Sequence, residues 1–118
     1  MSAETDLVAV LNAATQLTNV VGSRIYPDIA PVDVQTPCVA FERVDTEYVI
    51  SISGNRLAER ASLEITCMAD RRAEAEQIAD VITPVIYSQR FIPTGRRAEF
   101  DDAAGVWSAV LSIDYWQT

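Results

Sequence analysis

The chain contains no lysine and no histidine; all nine basic residues among its 118 are arginine. Without lysine there is no P-loop lysine, no Schiff base and no pyridoxal-phosphate anchor. Without histidine there is no Ser-His-Asp or Cys-His machinery and no zinc site of the usual histidine-containing kinds. Cysteine is scarce. Cys38 and Cys67 both sit in apolar stretches that read as strands. They are expected to be small buried hydrophobes in a reducing compartment, with a disulfide between neighbouring strands as the alternative. The four glycines, at 22, 54, 95 and 105, are scattered at turns and form no phosphate cradle. No apolar run approaches the ~20 residues that span a bilayer. The start, Met1 to Asp6, is acidic and lacks the basic and apolar regions of a signal peptide. The expected location is the cytosol, unless the protein is carried out as part of a larger particle.

What is present is an ordinary globular composition: 13.0 kDa, 49% hydrophobic and 22% charged. That is one domain, residues 1–118, with enough chain to bury a core without metal or disulfide staples. Seventeen acidic residues against nine basic leave a net charge of −8. Arg71-Arg72 and Arg96-Arg97 are isolated pairs with no basic stripe, so they are expected to pair with carboxylates on the surface or at an interface rather than grip nucleic acid. Glu99, Asp101 and Asp102 cluster beside a turn but lack the regular oxygen-donor spacing of a Mg²⁺ or Ca²⁺ loop. They read as a solvated turn. No catalytic constellation, cofactor site or metal site emerges.

Leu7, Val10, Leu11, Ala14 and Leu17 carry the apolar stripe of a helix over about residues 4 to 18. Residues 19 to 36, with Gly22, Pro27 and Pro31, read as a long extended connection. Cys38 to Val44 reads as a strand, and the alternation around Tyr48, Ile50 and Ile52 as a second. Gly54-Asn55 marks a turn, and Ala61, Leu63, Ile65, Cys67 and Ala69 alternate with polar residues as a third strand. Ala75, Ile78, Ala79, Ile82 and Ile86 predict a second helix, which Pro84 should stop or kink. A short strand at about 96 to 101 and a final one follow; Trp107, Ala109, Leu111, Ile113 and Tyr115 share one face of the latter. Trp116 points the opposite way, as edge packing or an interface anchor. The fold class is α+β, in the order α-β-β-β-α-β-β. One mainly antiparallel mixed sheet, with two helices packed on one face, is expected.

Taken in order, four segments carry a resemblance. They are Val20-Val21-Gly22-Ser23-Arg24-Ile25-Tyr26-Pro27, then Thr36-Pro37-Cys38-Val39-Ala40-Phe41, then Leu63-Glu64-Ile65-Thr66-Cys67-Met68-Ala69 running into an Ala/Glu-rich helix, and the ending Val106 to Trp116 with its Asp114-Tyr115-Trp116. The whole string resembles the tail-completion (tail-terminator) proteins of long-tailed bacteriophages, prophages and gene transfer agents. One departure from them is its complete lack of lysine.

The resemblance implies a non-enzymatic structural virion protein of the tail neck, present in the host cytoplasm during assembly. Copies would form a ring, usually of six, that caps the head-proximal end of the tail tube. The ring would stop tube growth and offer the surface on which the head connector or head-completion protein docks. The genome DNA would pass through its centre without specific binding, and no cofactor or membrane is implied. A head-completion or minor tail role, or a small oligomeric accessory domain of a cytosolic complex, is the alternative. Candidate interface residues are Tyr26, Pro27, Asn55, Arg56, Arg60 and Trp116, with the segment from Asp45 to Arg60 expected to meet the major tail-tube protein. Asp101 and Asp102 at the hairpin, or Glu42, Glu64 and Asp114 on polar sheet positions, are candidates for an acidic lumen.

Overall fold

Leu7 and Leu11, one helical turn apart, are fully buried and set the inner side of helix α1 (Ala3–Ala13). The computed structural model describes residues 3–22, 24–27, 36–87, 89–102 and 105–117. The single helix expected over 4–18 is two: α1 ends at Ala13, and α2 (Thr15–Val21) starts after Ala14, whose backbone is extended. The Ala14 carbonyl still accepts from the Leu17 and Thr18 amides, so the break leaves no buried orphan there. It re-aims α2, and Leu17 and Val21 join the same core as Leu7 and Leu11. Gly22, at φ 61°, closes α2 by donating its amide to the Thr18 carbonyl, a conformation that favours glycine.

The expected loop contains a short strand, β1 (Ile25–Pro27), parallel to β2 (Cys38–Ile50). The rest of that loop, including Pro31, lies outside the described residues. The two strands read as Cys38–Val44 and 48–53 are one. Arg43 opposes Leu63 and Asp45 opposes Ser62, so Val44 is the extra residue of a β-bulge. The bulge shifts the inward-outward phase by one, which in the sequence looks like a boundary between strands. β2 turns through residues 51–55 into β3 (Arg56–Ala69), antiparallel to it. α3 (Arg72–Tyr87) then crosses the inner face and runs through Pro84 without stopping. Proline forfeits one ladder bond at its own position, and Pro84 sits on the exposed side of the helix. β4 begins at Phe91, earlier than expected, and continues to Asp101; β5 (Val106–Gln117) pairs with both β4 and β3.

The sheet order is β1-β2-β3-β5-β4, mixed only at β1. The α-β-β-β-α-β-β order holds, with its first helix in two pieces and its first strand supplied by β1. Val39, Phe41, Leu63, Ile65, Leu111 and Ile113 on the inner face meet Ile78, Ile82 and Ile86 of α3 and the leucines of α1 and α2 in one continuous core. Trp107 and Tyr115 border it, on the face expected of them. Cys38 and Cys67 are free and buried. Cys67 opposes Val39 on the inner face, while Cys38 opposes Met68 on the outer one, so the two thiols lie on opposite sides of the sheet and the disulfide alternative falls.

Candidate functional site

The helices cover one sheet face. On the other, Cys38, Ala40 and Val110 are buried, while the strand alternation leaves Glu42, Asp45 and Glu47 exposed and Glu64, Ser112 and Asp114 half-buried beside them. Reading across the strands, Glu42 opposes Glu64 and Ser112, Asp45 opposes Ser62 and Asp114, and Glu47 opposes Arg60 and Trp116. Two arginines hold this acidic field together. Arg97 donates to Glu64 Oε2 at 2.9 Å and through Nε to Glu99 at 2.7 Å. Arg60 donates to Glu47 at 2.8 Å and lies 4.0 Å from Asp114, which also accepts from Ser62 Oγ at 3.0 Å. Glu42 and Glu64 are directly opposed like charges, which costs stability unless a counter-ion intervenes, and Arg97 supplies it at Glu64. With Glu42, Asp45, Glu47, Glu64, Glu99 and Asp114 against two arginines, the open face is strongly negative.

Arginines on the inner side work differently. Arg43 reaches from β2 to Glu4 of α1 at 2.6 Å and to Glu59 of β3 at 3.2 Å. Arg96 ties β4 to α3 through Asp80 at 2.7 Å and through the Glu76 carboxylate. Both are half-buried struts between layers. Sequence reasoning expected such pairing of Arg96 and Arg97 and missed Arg43, because its partners lie 39 and 16 residues away.

A second feature is the far end of the β2–β3 hairpin. β5 reaches only Glu59, so residues 49–58 project past the sheet as a short arm. Val49, Ile50, Ile52 and Leu57 are exposed on it, and Ile52 wholly so. The tip is ordered by Ser51, whose amide donates to the Asn55 carbonyl at 2.8 Å and whose Oγ accepts from the Asn55 amide at 3.1 Å. A third feature is a groove between α2 and α3, of about 440 Å³, lined by Leu17, Val20, Ile78 and Val81 together with Glu74 and Asp80.

The expected interface residues do not gather in one place. Arg60 and Trp116 are cross-strand neighbours on the open face, Trp116 being 39% exposed. Asn55 sits in the arm tip and Arg56 at its base. Tyr26 and Pro27 are on β1, opposite Ala40 and Phe41 near the other end of β2. Asp101 and Asp102 lie where β4 enters its turn, at that same end of the sheet; Asp101, two residues on from Glu99 and opposite Val106, continues the acidic face. Among the described residues no three acidic or cysteine side chains converge so as to hold a metal ion.

The family model described as tail completion protein gp17 matches residues 5–117. The chain belongs to the tail completion protein gp17 family. By that membership it is a structural part of a phage-type tail, in a family that is not an enzyme class. A chain in the solved virion of a native gene transfer agent particle shares the fold, with a TM-score of 0.72 over 96% of this chain and 92% of that one. At 14% identity the likeness is one of architecture. No curated protein matches the sequence. Viewed as a tail component, the chain has surfaces suited to assembly: an open acidic sheet face, an apolar arm and an apolar groove.

Proposed function

We propose that copies of this chain form a ring, six being the number the family resemblance implies, that caps the head-proximal end of the tail tube, ends its growth and presents a docking surface to the head connector. The observation that carries this reading is the family match over nearly the whole chain. The open sheet face supplies the lumen. Basic walls would neutralise phosphates, release counter-ions and hold the strand, whereas a face bearing Glu42, Asp45, Glu64 and Asp114 repels a duplex. That repulsion is damped within a Debye length of ~8 Å at physiological salt, so a wide pore passes DNA at little cost. Asp101 and Asp102 extend the same charge to the sheet end. Tyr26, Pro27 and Trp116 remain candidate contacts for neighbouring copies or ring partners in this reading.

The tube contact expected of residues 45–60 rested on Arg56 and Arg60 as donors to partner carboxylates. Arg60 is engaged within the chain by Glu47. The same segment also carries the exposed apolar side chains of Val49, Ile50, Ile52 and Leu57.

Deleting the gene from a tailed particle that carries it tests the capping role. The expected result is tails of uncontrolled length that do not join heads, restored by supplying the chain in trans. Tails of normal length in its absence would overturn the reading. The purified protein should also fail to retard duplex DNA at low salt.

A further inference from the structure

We propose that adjacent copies of this chain meet sheet edge to sheet edge through an ion pair, Arg90 of one copy with Asp45 of the next. The contact rests on the ring of the preceding section and joins its copies.

The other arginines show what is unusual about Arg90. Arg43, Arg60, Arg96 and Arg97 hold carboxylates of their own chain. Arg24 donates to the Pro37 carbonyl, and Arg72 lies over the Trp107 ring at 5.8 Å. Among the described residues Arg71 and Arg90 have no such partner, although the chain carries a net charge of −8. Arg71 stands beside the first turn of α3, off the sheet; Arg90 is exposed and immediately precedes β4. Its backbone sits at φ 76°, the left-handed region that a bulky side chain disfavours. An exposed charge held in that conformation, with no carboxylate of its own chain, points to a contact made outside the chain.

Asp45 is its counterpart in sign and in place. It is exposed, has no ion-pair partner among the described residues, and follows the Val44 bulge on β2. β1 pairs with β2 only as far as Phe41, so Asp45 stands on one edge of the described sheet, and β4 forms the other. Register sets the two charges at similar heights. Ile92 is opposite Asp114, Asp114 opposite Ser62, and Ser62 opposite Asp45. Arg90 is two residue steps from that level, ~7 Å along the strand, an offset that an arginine side chain spans. Three strand spacings, ~14 Å, keep it from the Asp45 of its own copy. Rotation about an axis along the strands carries one copy to the next without changing heights. It brings the β4 edge of one to the β2 edge of the next, with Arg90 beside Asp45. The two edges run in opposite directions, the sense in which antiparallel strands lie side by side. The contact is heterologous, as a closed ring requires, and closure covers edges that otherwise invite aggregation. An exposed ion pair is weak alone, but a ring repeats it at every interface and gains by multivalency.

The lack of lysine makes the contact testable. Arg90→Lys introduces the chain's single side-chain amine and keeps the positive charge. A carbodiimide joins an amine to a carboxylate with no spacer, so only groups in contact react. Purified tailed particles carrying this variant should give a ladder of covalent oligomers of the chain. The linking peptides should join residue 90 of one copy to Asp45 of another, and particles with the natural chain should give no such link. Charge reversal reads the same contact through assembly. Arg90→Glu and Asp45→Arg should each lower the yield of joined particles about ten-fold, and the two together should restore most of it. Absence of the inter-copy link, a link from residue 90 to another carboxylate such as Asp6, or a double variant no better than the single ones would overturn the proposal. The capping role is decided separately, by tail length. Links in the particle together with normal tails in the deletion strain keep the contact and remove the cap; uncontrolled tails without links do the reverse.

Discussion

Replacing Tyr115 by phenylalanine should loosen the tie between the two ends of the chain. The Tyr115 hydroxyl donates to Asp6 Oδ2 at 2.7 Å, joining the last strand to the first helix across 109 residues of sequence. Its ring stacks on Phe91, with centroids 4.4 Å apart and planes 20° off parallel. Phenylalanine keeps the stacking and deletes only the donor. A hydrogen bond to a charged group contributes about 1.5–3 kcal/mol, and the half-buried position of this one places it at the lower end, about 1.5 kcal/mol. At ~2.1 cal/mol/K per residue, a domain of 118 residues unfolds with about 250 cal/mol/K, so the midpoint should fall by about 6 °C. The pH dependence sharpens the test. The hydrogen bond to Asp6, with burial and the Asp6 charge adding to it, pushes the Tyr115 phenol above its ordinary value. A group whose folded pKa is raised contributes stability that is fully present below its unfolded pKa of ~10 and is lost as pH rises through the folded value. The gap between wild type and Tyr115→Phe should therefore be constant up to about pH 9 and narrow above pH ~10. Thermal melts followed by far-ultraviolet circular dichroism across that range give both readings. A midpoint shift under about 1 °C, or a gap that persists unchanged at pH ~11, would refute the reasoning.

The core and the thiols offer two further tests. Ile65 is fully buried on the central strand β3, so Ile65→Ala should cost about 3–4 kcal/mol, read as a lower urea midpoint with an unchanged m-value; a cost below about 1 kcal/mol would mean that the sheet and helices do not pack as described. Burial pushes the Cys67 thiol up to about 12 and raises Cys38 too, so neither should react with an aromatic disulfide at pH 8 until the protein unfolds, and fast labelling of the native state would contradict their burial.

Much of the architecture was legible because it rests on local periodicity. The stripe of α3, the alternation of β3 and the faces of β5 are each set by side chains a few residues apart, and the structure keeps all three. The polar character of the open sheet face was readable for the same reason: Ser62, Glu64, Thr66, Ser112 and Asp114 alternate with core residues. The joints were not readable. Ala14 interrupts the first helix although alanine is the best helix former, because orienting Leu17 and Val21 toward the common core outweighs one residue's propensity. The bulge at Val44 looks in sequence like the end of a strand, since a phase shift and a boundary break the alternation alike.

What the sequence alone determined, then, is chemistry and pattern: no lysine or histidine machinery, an acidic balance, an α+β order, and segments that resemble a tail-completion family. Tertiary structure decided which side chains meet. Arg43 finds Glu4 and Glu59, Arg97 finds Glu64 and Glu99, and Arg60 finds Glu47 across the open face. It also separated the two cysteines onto opposite faces and set an apolar arm and an apolar groove at opposite ends of β2. These are properties of strand register and of the path of the chain between elements. Register is fixed by long-range pairing and by bulges, whose energies sum over both strands, so no window of neighbouring residues contains them.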